Sequence, residues 1–452
     1  MTLQKIKNGI KSIPPMRLIL LGYLFIIFLG TVLLSLPIAS SIGKFTDFSD
    51  AFFTATSATC VTGLIRFDTY THWSFFGQFV ILALIQIGGL GFMTWVISVI
   101  TLTKKKIGFN TRFLMQNSIS APQVGGIIGL AKKIFKYTVI VEGIGALMLG
   151  LYFVPRLGVI RGIWFSIFHS ISAFCNAGFD LMGYYKPFSS LTTVADNAYV
   201  NIIIIALIVV GGLGFIVWMD LLKNKFNFKK LGLHSRVVLI FSLSLIIIGT
   251  VGLFVFELGG DCYKDSSLGN KFLKSLFQSV STRTAGMNSV DLSTMTDSSK
   301  FLMIILMLIG GSPGSTAGGM KTTTFAVVIM SVQAIFKRKQ SIEIMRRRLD
   351  QSALQSAACI FITYLLLMTG SGMIISAIEG IPILSALFET GSAIGTVGMS
   401  LGVTTSLGLI SKLIISGLMI FGRLGSITLL LAFSIDDRHA NFKYPLGKLQ
   451  IG

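Results

Sequence analysis

Long apolar runs follow one another in pairs along the chain, near residues 17–39 and 73–102, 134–155 and 199–222, 236–257 and 301–336, and 354–378 and 410–435. Each supplies the roughly 20 residues a helix needs to cross a hydrocarbon core of about 30 Å. Within every pair lies a shorter apolar segment, near 48–59, 161–174, 271–282 and 383–394. As helices these extend about 20 Å at most, too little to cross. The pattern predicts four re-entrant half-helices set between eight full spans.

The short segments align as "FFTATSATCVTGL" (Phe52–Leu64), "IFHSISAFCNAGF" (Ile167–Phe179), "LFQSVSTRTAGM" (Leu276–Met287) and "LFETGSAIGTVGM" (Leu387–Met399), with a Phe ten residues before a Gly in three copies and nine in the third. Behind them come "QIGGLGFM" (Gln86–Met93), "VVGGLGFI" (Val209–Ile216), "LIGGSPGS" (Leu308–Ser315) and "IFGRLGSI" (Ile420–Ile427), whose first glycines follow Gly63, Gly178, Gly286 and Gly398 by 25, 33, 24 and 24 residues. Such double self-similarity marks an internal repeat. The repeats occupy 1–103, 104–223, 224–337 and 338–435, with a tail over 436–452. In the third, "IGGSPGSTAGGMKTTTF" (Ile309–Phe325) breaks a helix that the other three copies are expected to continue.

Composition agrees with a membrane: 53% of the residues are apolar and 12% charged. A net charge of +20 would point a soluble chain towards nucleic acid, so its distribution has to decide. Residues 5–17, 104–136, 223–236, 337–348 and 438–448 hold 25 of the 38 basic residues with five acids in or beside them, leaving 13 of each sign elsewhere. The excess lies on alternate connections, which the positive-inside rule places in the cytoplasm with both termini. No aromatic-basic interleaving accompanies the clusters, so no nucleic-acid partner is expected. The basic N-terminal segment carries no small-residue cleavage site after its apolar run and reads as a retained first span. Cys60, Cys175, Cys262 and Cys359 show no CxxC spacing, and His72, His169, His234 and His439 form no metal-ligand pattern.

All four repeats start at a basic cluster and share one orientation. The expected fold is therefore all-α: four parallel membrane-pore-membrane repeats around one central pore, as in a potassium channel. "TCVTG", "FCNAG", "TRTAG" and "IGTVG" end in a glycine and contain no carboxylate, which suits backbone-carbonyl coordination of an alkali cation. The expected filter is Val61, Thr62 and Gly63, Asn176, Ala177 and Gly178, Thr284, Ala285 and Gly286, and Thr396, Val397 and Gly398. The insert in the third repeat cannot face lipid and is expected to lie in the pore as a gate at 310–324, with Gly310, Gly311, Ser312, Gly314, Ser315, Thr316, Gly318 and Gly319 as its mobile part. Arg423, in place of the second glycine of GGLG, should project towards it. Lys321 reads equally as a gate contact or as a snorkelling end. Arg283 and Glu389 are expected to support the filter from behind as an ion pair, since unpaired charges at that depth are costly. Glu142 is assigned no role.

Alternating-access transport also uses broken helices, but that class often carries inverted repeats, whereas these four run parallel. An enzyme would need a paired nucleophile and base or metal ligands at one depth; His169 with Ser170 is the best candidate, and a pore-helix position explains it better.

The set "SATCVTGL", "QIGGLGFMT", "SAFCNAGF", "STRTAGMNS", "GGSPGSTAGGMKTTT", "GSAIGTVGM" and "FGRLGSITL" resembles the Trk/Ktr/HKT superfamily of potassium transporters across essentially the whole chain. It is most similar to the KtrB branch, the membrane subunits of bacterial Ktr systems, since the related TrkH proteins carry two further N-terminal helices. The resemblance implies K+ uptake across the bacterial cytoplasmic membrane, with Na+ as a candidate coupling ion. It also implies one filter glycine per repeat, an intramembrane loop that obstructs the pore and is touched by an arginine, homodimerisation within membrane lipid, and a cytosolic KtrA-like RCK nucleotide-binding ring as regulator.

Overall fold

The computed structural model describes residues 15–91, 127–264, 266–339, 341–345 and 347–425. Over these the chain is helical apart from a two-stranded hairpin, β1 (Glu343–Ile344) with β2 (Arg347–Arg348), seated by the buried Ile344 against Val237 and Ala326. The ends of the runs at 73–102 and 410–435, beyond residues 91 and 425, most of the 104–136 cluster and the C-terminal tail lie outside the described residues.

Among the described residues four helices are long and apolar enough to cross a membrane, or five if the bent pair 198–212 and 215–223 is one span: α1 (Pro15–Ser35), α4 (Ile127–Leu157), α8 (Leu233–Phe256) and α12 (Gln351–Glu379). Each leads into a short helix: α2 (Phe48–Thr59), α5 (Val159–Cys175), α9 (Leu268–Ser281) and α13 (Ile383–Ile394). At 12, 17, 14 and 12 residues, these fall at the expected segments. The longest, α5, starts earlier than its apolar text because Gly158 alone, at φ +79°, reverses the chain after α4. Asp47 and Ser267 start α2 and α9 by accepting hydrogen bonds from Ser49 N and Asn270 N. The Phe of each aligned motif, Phe53, Phe168, Phe277 and Phe388, is at most 1% exposed, so the repeated aromatic is what seats each short helix among its neighbours.

The second helices are α3 (Phe75–Leu90), α6 (Ala198–Gly212), α10 (Asp297–Leu308) and α14 (Leu409–Leu424). Each packs against the short helix of the following segment, α3 on α5, α6 on α9, α10 on α13, and α14 returns to α2. The result is a closed ring of short helices with its last joint between the two ends of the chain. Polar bonds mark three of the joints. Trp164 Nε1 donates to Gln78 Oε1 at 2.9 Å, Lys274 Nζ lies 3.0 Å from Asp196, and Lys412 Nζ lies 2.6 Å from Asp50.

The second helices are not continuous where GGLG stands. α6 and α7 (Phe215–Lys223) meet at 95°, and α3 and α14 stop at Leu90 and Leu424. The last glycine of each motif, Gly91, Gly214 or Gly425, has φ between +82° and +92°, where a Cβ would be strained. The first glycine is fixed by crowding. A Cβ at Gly88, Gly211 or Gly422 would collide with the backbone carbonyl of Thr59, Phe174 or Ile394 at the end of a short helix. In the described residues the expected uninterrupted helix therefore stops before Gly91 and Gly425 and bends by 95° at Gly214, at the motif where the third repeat carries its insert.

Candidate ion pathway

The C-terminal ends of the four short helices run into the four glycine loops, and there the backbone alternates in handedness. Val61, Asn176, Thr284 and Thr396 have φ of +57°, +58°, +76° and +49°, and the glycines two residues later have +99°, +74°, +74° and +95°. For β-branched Val and Thr a positive φ is a true outlier, costing on the order of 1–3 kcal/mol and kept only where the surroundings impose it. Alternating handedness turns successive N–H groups to one side and carbonyls to the other.

The N–H groups turn back to the short helices. Thr62 N and Gly63 N donate to Ser57 O and Oγ at 2.8 and 3.0 Å, and Val397 N and Gly398 N to Ser392 O and Oγ at 2.7 and 3.0 Å. Ala177 N reaches Ser172 O at 2.8 Å and Ala285 N reaches Ser281 O at 2.9 Å, while the hydroxyls of these two serines hold the chain just past the glycine, at Phe179 O and Met287 O.

The carbonyls are left facing one another. A Cβ built on Gly63 would lie 2.5 Å from Ala177 O, one on Gly178 would lie 3.2 Å from Ala285 O, one on Gly286 would collide with Val397 O, and one on Gly398 with Thr62 O. Each glycine thus abuts the carbonyl of the next loop, and the fourth abuts that of the first. Thr62, Ala177, Ala285 and Val397 are fully buried, and among the described residues none of their carbonyls accepts a backbone hydrogen bond. Buried unpaired acceptors are rare. A closed ring of them is a ready coordination shell for a dehydrated cation. On one side the four glycines open into a cavity of about 390 Å³ that Asp68, Asp180 and Asp291 also line, a negative field in front of the ring.

On the other side lies the 310–324 segment. Its two ends are zipped together by Gly310 N to Met320 O at 2.8 Å and Thr322 N to Gly311 O at 3.1 Å. Its middle is bound to the broken second helices: Ser312 N and Thr316 N donate to Gly212 O and Gly211 O at 3.0 and 3.3 Å, and Gly319 N to Gly422 O at 3.1 Å. Thr316 Oγ1 donates to Phe174 O at 3.0 Å, at the foot of the second glycine loop. Gly318 leaves no room for a Cβ beside the Thr396 hydroxyl, and Ser312 and Thr316 are fully buried. Gly314 O accepts from Phe215 N at 2.7 Å, and Ser315 Oγ turns inward to Ser312 O at 2.7 Å. Arg423 donates to Thr316 O and, with its other nitrogen, to Gly88 O and to Gly89 O at 3.0 Å. Lys321 Nζ donates to Ala317 O at 2.8 Å, a carbonyl of the same segment.

The expected ion pair between Arg283 and Glu389 is not formed. Glu389 accepts from Ser400 Oγ at 2.7 Å, Leu401 N at 3.0 Å and Thr404 Oγ1 at 2.5 Å, bracing the chain after Gly398. Arg283 points the other way, to Ser242 and Thr322. Glu142, given no role from sequence, accepts from Gln86 Nε2 at 3.0 Å beside Cys175, the last residue of α5.

The family model described as TrkH, cation transport protein, matches residues 30–444. The chain belongs to the TrkH family. Family membership is carried over the full length by individual relatives. Potassium/sodium uptake protein NtpJ of Enterococcus hirae is 41% identical, with 100% of both chains covered, and Ktr system potassium uptake protein B of Bacillus subtilis is 39% identical, again over 100% of both. Ktr system potassium uptake protein B of Vibrio alginolyticus is 34% identical over 91% of this chain and 90% of its own. The crystal structure of the potassium transporter TrkH from Vibrio parahaemolyticus superposes with a TM-score of 0.69 at 20% identity, covering 91% of this chain and 84% of the other, which establishes a shared fold. The chain is a multi-pass membrane protein of that fold.

Sequence reasoning missed the four serines that organise the glycine loops. Ser57, Ser172 and Ser392 stand six residues before their glycines and Ser281 five. The signal was present, since all four aligned motifs contain that serine.

Proposed function

We propose that the chain is the ion-translocating subunit of a Ktr/Trk-type potassium uptake system. The ring of buried carbonyls from Thr62, Ala177, Ala285 and Val397, unpaired by backbone donors, carries this reading. Four parallel membrane-pore-membrane repeats surround one pore, and the loops ending in Gly63, Gly178, Gly286 and Gly398 are its selectivity filter for K+. The acidic cavity concentrates cations in front of it. With one glycine per loop, the filter discriminates less sharply than a channel whose loops carry two, and Na+ enters as a coupling or competing ion. The 310–324 segment with Lys321 and Arg423 is the gate, held shut by hydrogen bonds to glycine carbonyls, which a binding partner can offset because two such states need differ by only a few kcal/mol.

The relatives named for Ktr systems support a separate cytosolic subunit, an RCK ring acting on the basic cytoplasmic face of a homodimer, with both termini in the bacterial cytoplasm. Expression in a bacterium lacking potassium uptake, with and without a co-expressed RCK subunit, tests the proposal. Growth at limiting K+ that needs this chain and increases with the partner is expected. Absence of growth, with the protein present in the membrane, would overturn it.

A further inference from the structure

We propose that Arg283 is a second latch of the 310–324 segment, gripping its neck where Arg423 grips its tip, and tying the gate to the third filter loop. The inference rests on the gate reading above and goes beyond it in naming the residue through which filter and gate communicate.

Arg283 immediately precedes Thr284, so its backbone belongs to the third filter loop. Its side chain leaves the filter: Nη1 donates to Ser242 O at 3.1 Å on α8, and Nη2 donates to Ser242 Oγ at 3.3 Å and Thr322 Oγ1 at 3.4 Å. Thr322 opens the helix α11 (Thr322–Phe336), whose first turn ends the gate segment. It also closes the segment's neck, since its N–H donates to Gly311 O and its hydroxyl to Gly310 O, both at 3.1 Å. Arg283, the Thr322 hydroxyl and Gly310 O therefore form one chain of donors and acceptors, in which each bond polarises the next.

A cation at this depth calls for a function or a partner. Among the described residues no carboxylate pairs with Arg283, and its Nε is buried without a hydrogen bond. A hydrophobic or amide side chain would brace the loop at lower desolvation cost. What the guanidinium adds is a charge-assisted hold on the neck. Beside it lies a cavity of about 20 Å³ between Gly212, Ser242, Arg283 and Gly311, room for about one water, so the neck is latched there by hydrogen bonds more than by packing. When the segment moves, Thr322 either leaves Arg283 or pulls on the residue next to Thr284. Gate position and ion occupancy of the filter are then coupled, and the coupling acts equally in both directions.

The experiment is Rb+ flux into proteoliposomes by Arg283→Gln, Thr322→Val, Thr322→Ser and the Arg283→Gln/Thr322→Val double variant, with Arg423→Ala alongside. Losing a charge-assisted hydrogen bond should raise flux roughly tenfold in Arg283→Gln, and Thr322→Val should act in the same direction. The double variant should gain no more than the larger single effect, because both remove one link. Thr322→Ser, which keeps the hydroxyl, should behave as the parent. Fully multiplicative effects, or an altered Rb+/Na+ ratio without increased flux in Arg283→Gln, would reduce Arg283 to a filter brace and overturn the proposal. Thr322→Val preserves volume and serves alone if Arg283→Gln fails to insert; unchanged flux in it likewise overturns the latch. Increased flux in Arg423→Ala with none in the other variants rejects only the latch, whereas no increase in Arg423→Ala rejects the gate itself.

Discussion

Replacing the four glycines of the proposed filter by serine one at a time should give graded defects, because the four positions are not equally hostile to a side chain. At Gly178 a Cβ would approach the Cα atoms of Gly63 and Gly286 at 3.1 Å and Ala285 O at 3.2 Å, contacts that a few tenths of an ångström relieve. Gly178 also has φ +74°, within reach of the left-handed region, at a backbone cost of about 1–2 kcal/mol for a non-glycine residue. At Gly398 the same Cβ collides with Thr62 O and lies 2.8 Å from Gly63 Cα, and φ is +95°, outside that region. Gly178→Ser should therefore weaken K+ affinity about five- to thirtyfold, the factor that 1–2 kcal/mol supplies. Gly398→Ser should all but abolish selective uptake. The assay is initial Rb+ uptake in proteoliposomes across a range of K+ and Na+ as competitors, with size-exclusion profiles to confirm assembly. Equal defects at the two positions, or none at Gly178, would mean that carbonyls abutting those glycines do not set the fit around the ion.

Arg423→Ala, or deletion of Ser312–Gly318, should raise flux at least about tenfold while leaving cation preference in place, since both remove the charge-assisted hydrogen bond from Arg423 to Thr316 O, a bond of a kind worth about 1.5–3 kcal/mol; flux at background in well-inserted protein would show that the segment is needed for conduction. Lys412→Ala should lower thermal stability by about 3–5 kcal/mol less whatever Arg66, 3.7 Å from Asp50, can replace, whereas Asp50→Asn with Lys412→Met should recover most of the loss; a double variant as unstable as the single would remove Asp50 as the cause. Reporter fusions within 337–348 and at the C-terminus should read cytoplasmic, and a periplasmic signal at either would break the parallel topology.

Length and apolar content alone place the short helices, because a segment of about a dozen apolar residues ending in glycine has few other uses in a bilayer. α2 and α13 match the expected 48–59 and 383–394 to the residue. The breaks at Gly91, Gly214 and Gly425 were less legible, since a glycine in a membrane helix serves close packing as readily as a positive φ. The pairing of Arg283 with Glu389 failed for a reason the register already contains. Arg283 stands three residues before its glycine and Glu389 nine before its own, a difference of roughly 9 Å along a helix, so the two lie at different depths. The serines escaped notice because a hydroxyl in a membrane helix usually bonds its own preceding turn, as Ser166 does to Gly162 O, and only the folded loop shows Ser57 and Ser392 serving the backbone ahead of them.

The joint between α14 and α2 has a consequence for biogenesis. The first short helix enters the membrane near the start of synthesis, yet its neighbour is the last of the described helices, and Asp50 waits for Lys412 across a sequence separation of 362 residues. Until the ribosome has delivered that helix, the side of α2 that will receive it is open and its carboxylate lacks its partner lysine. A chain stopped short of residue 412 therefore leaves the ring of short helices with one joint unmade. Closure of the ring of short helices waits on the helix that carries Lys412.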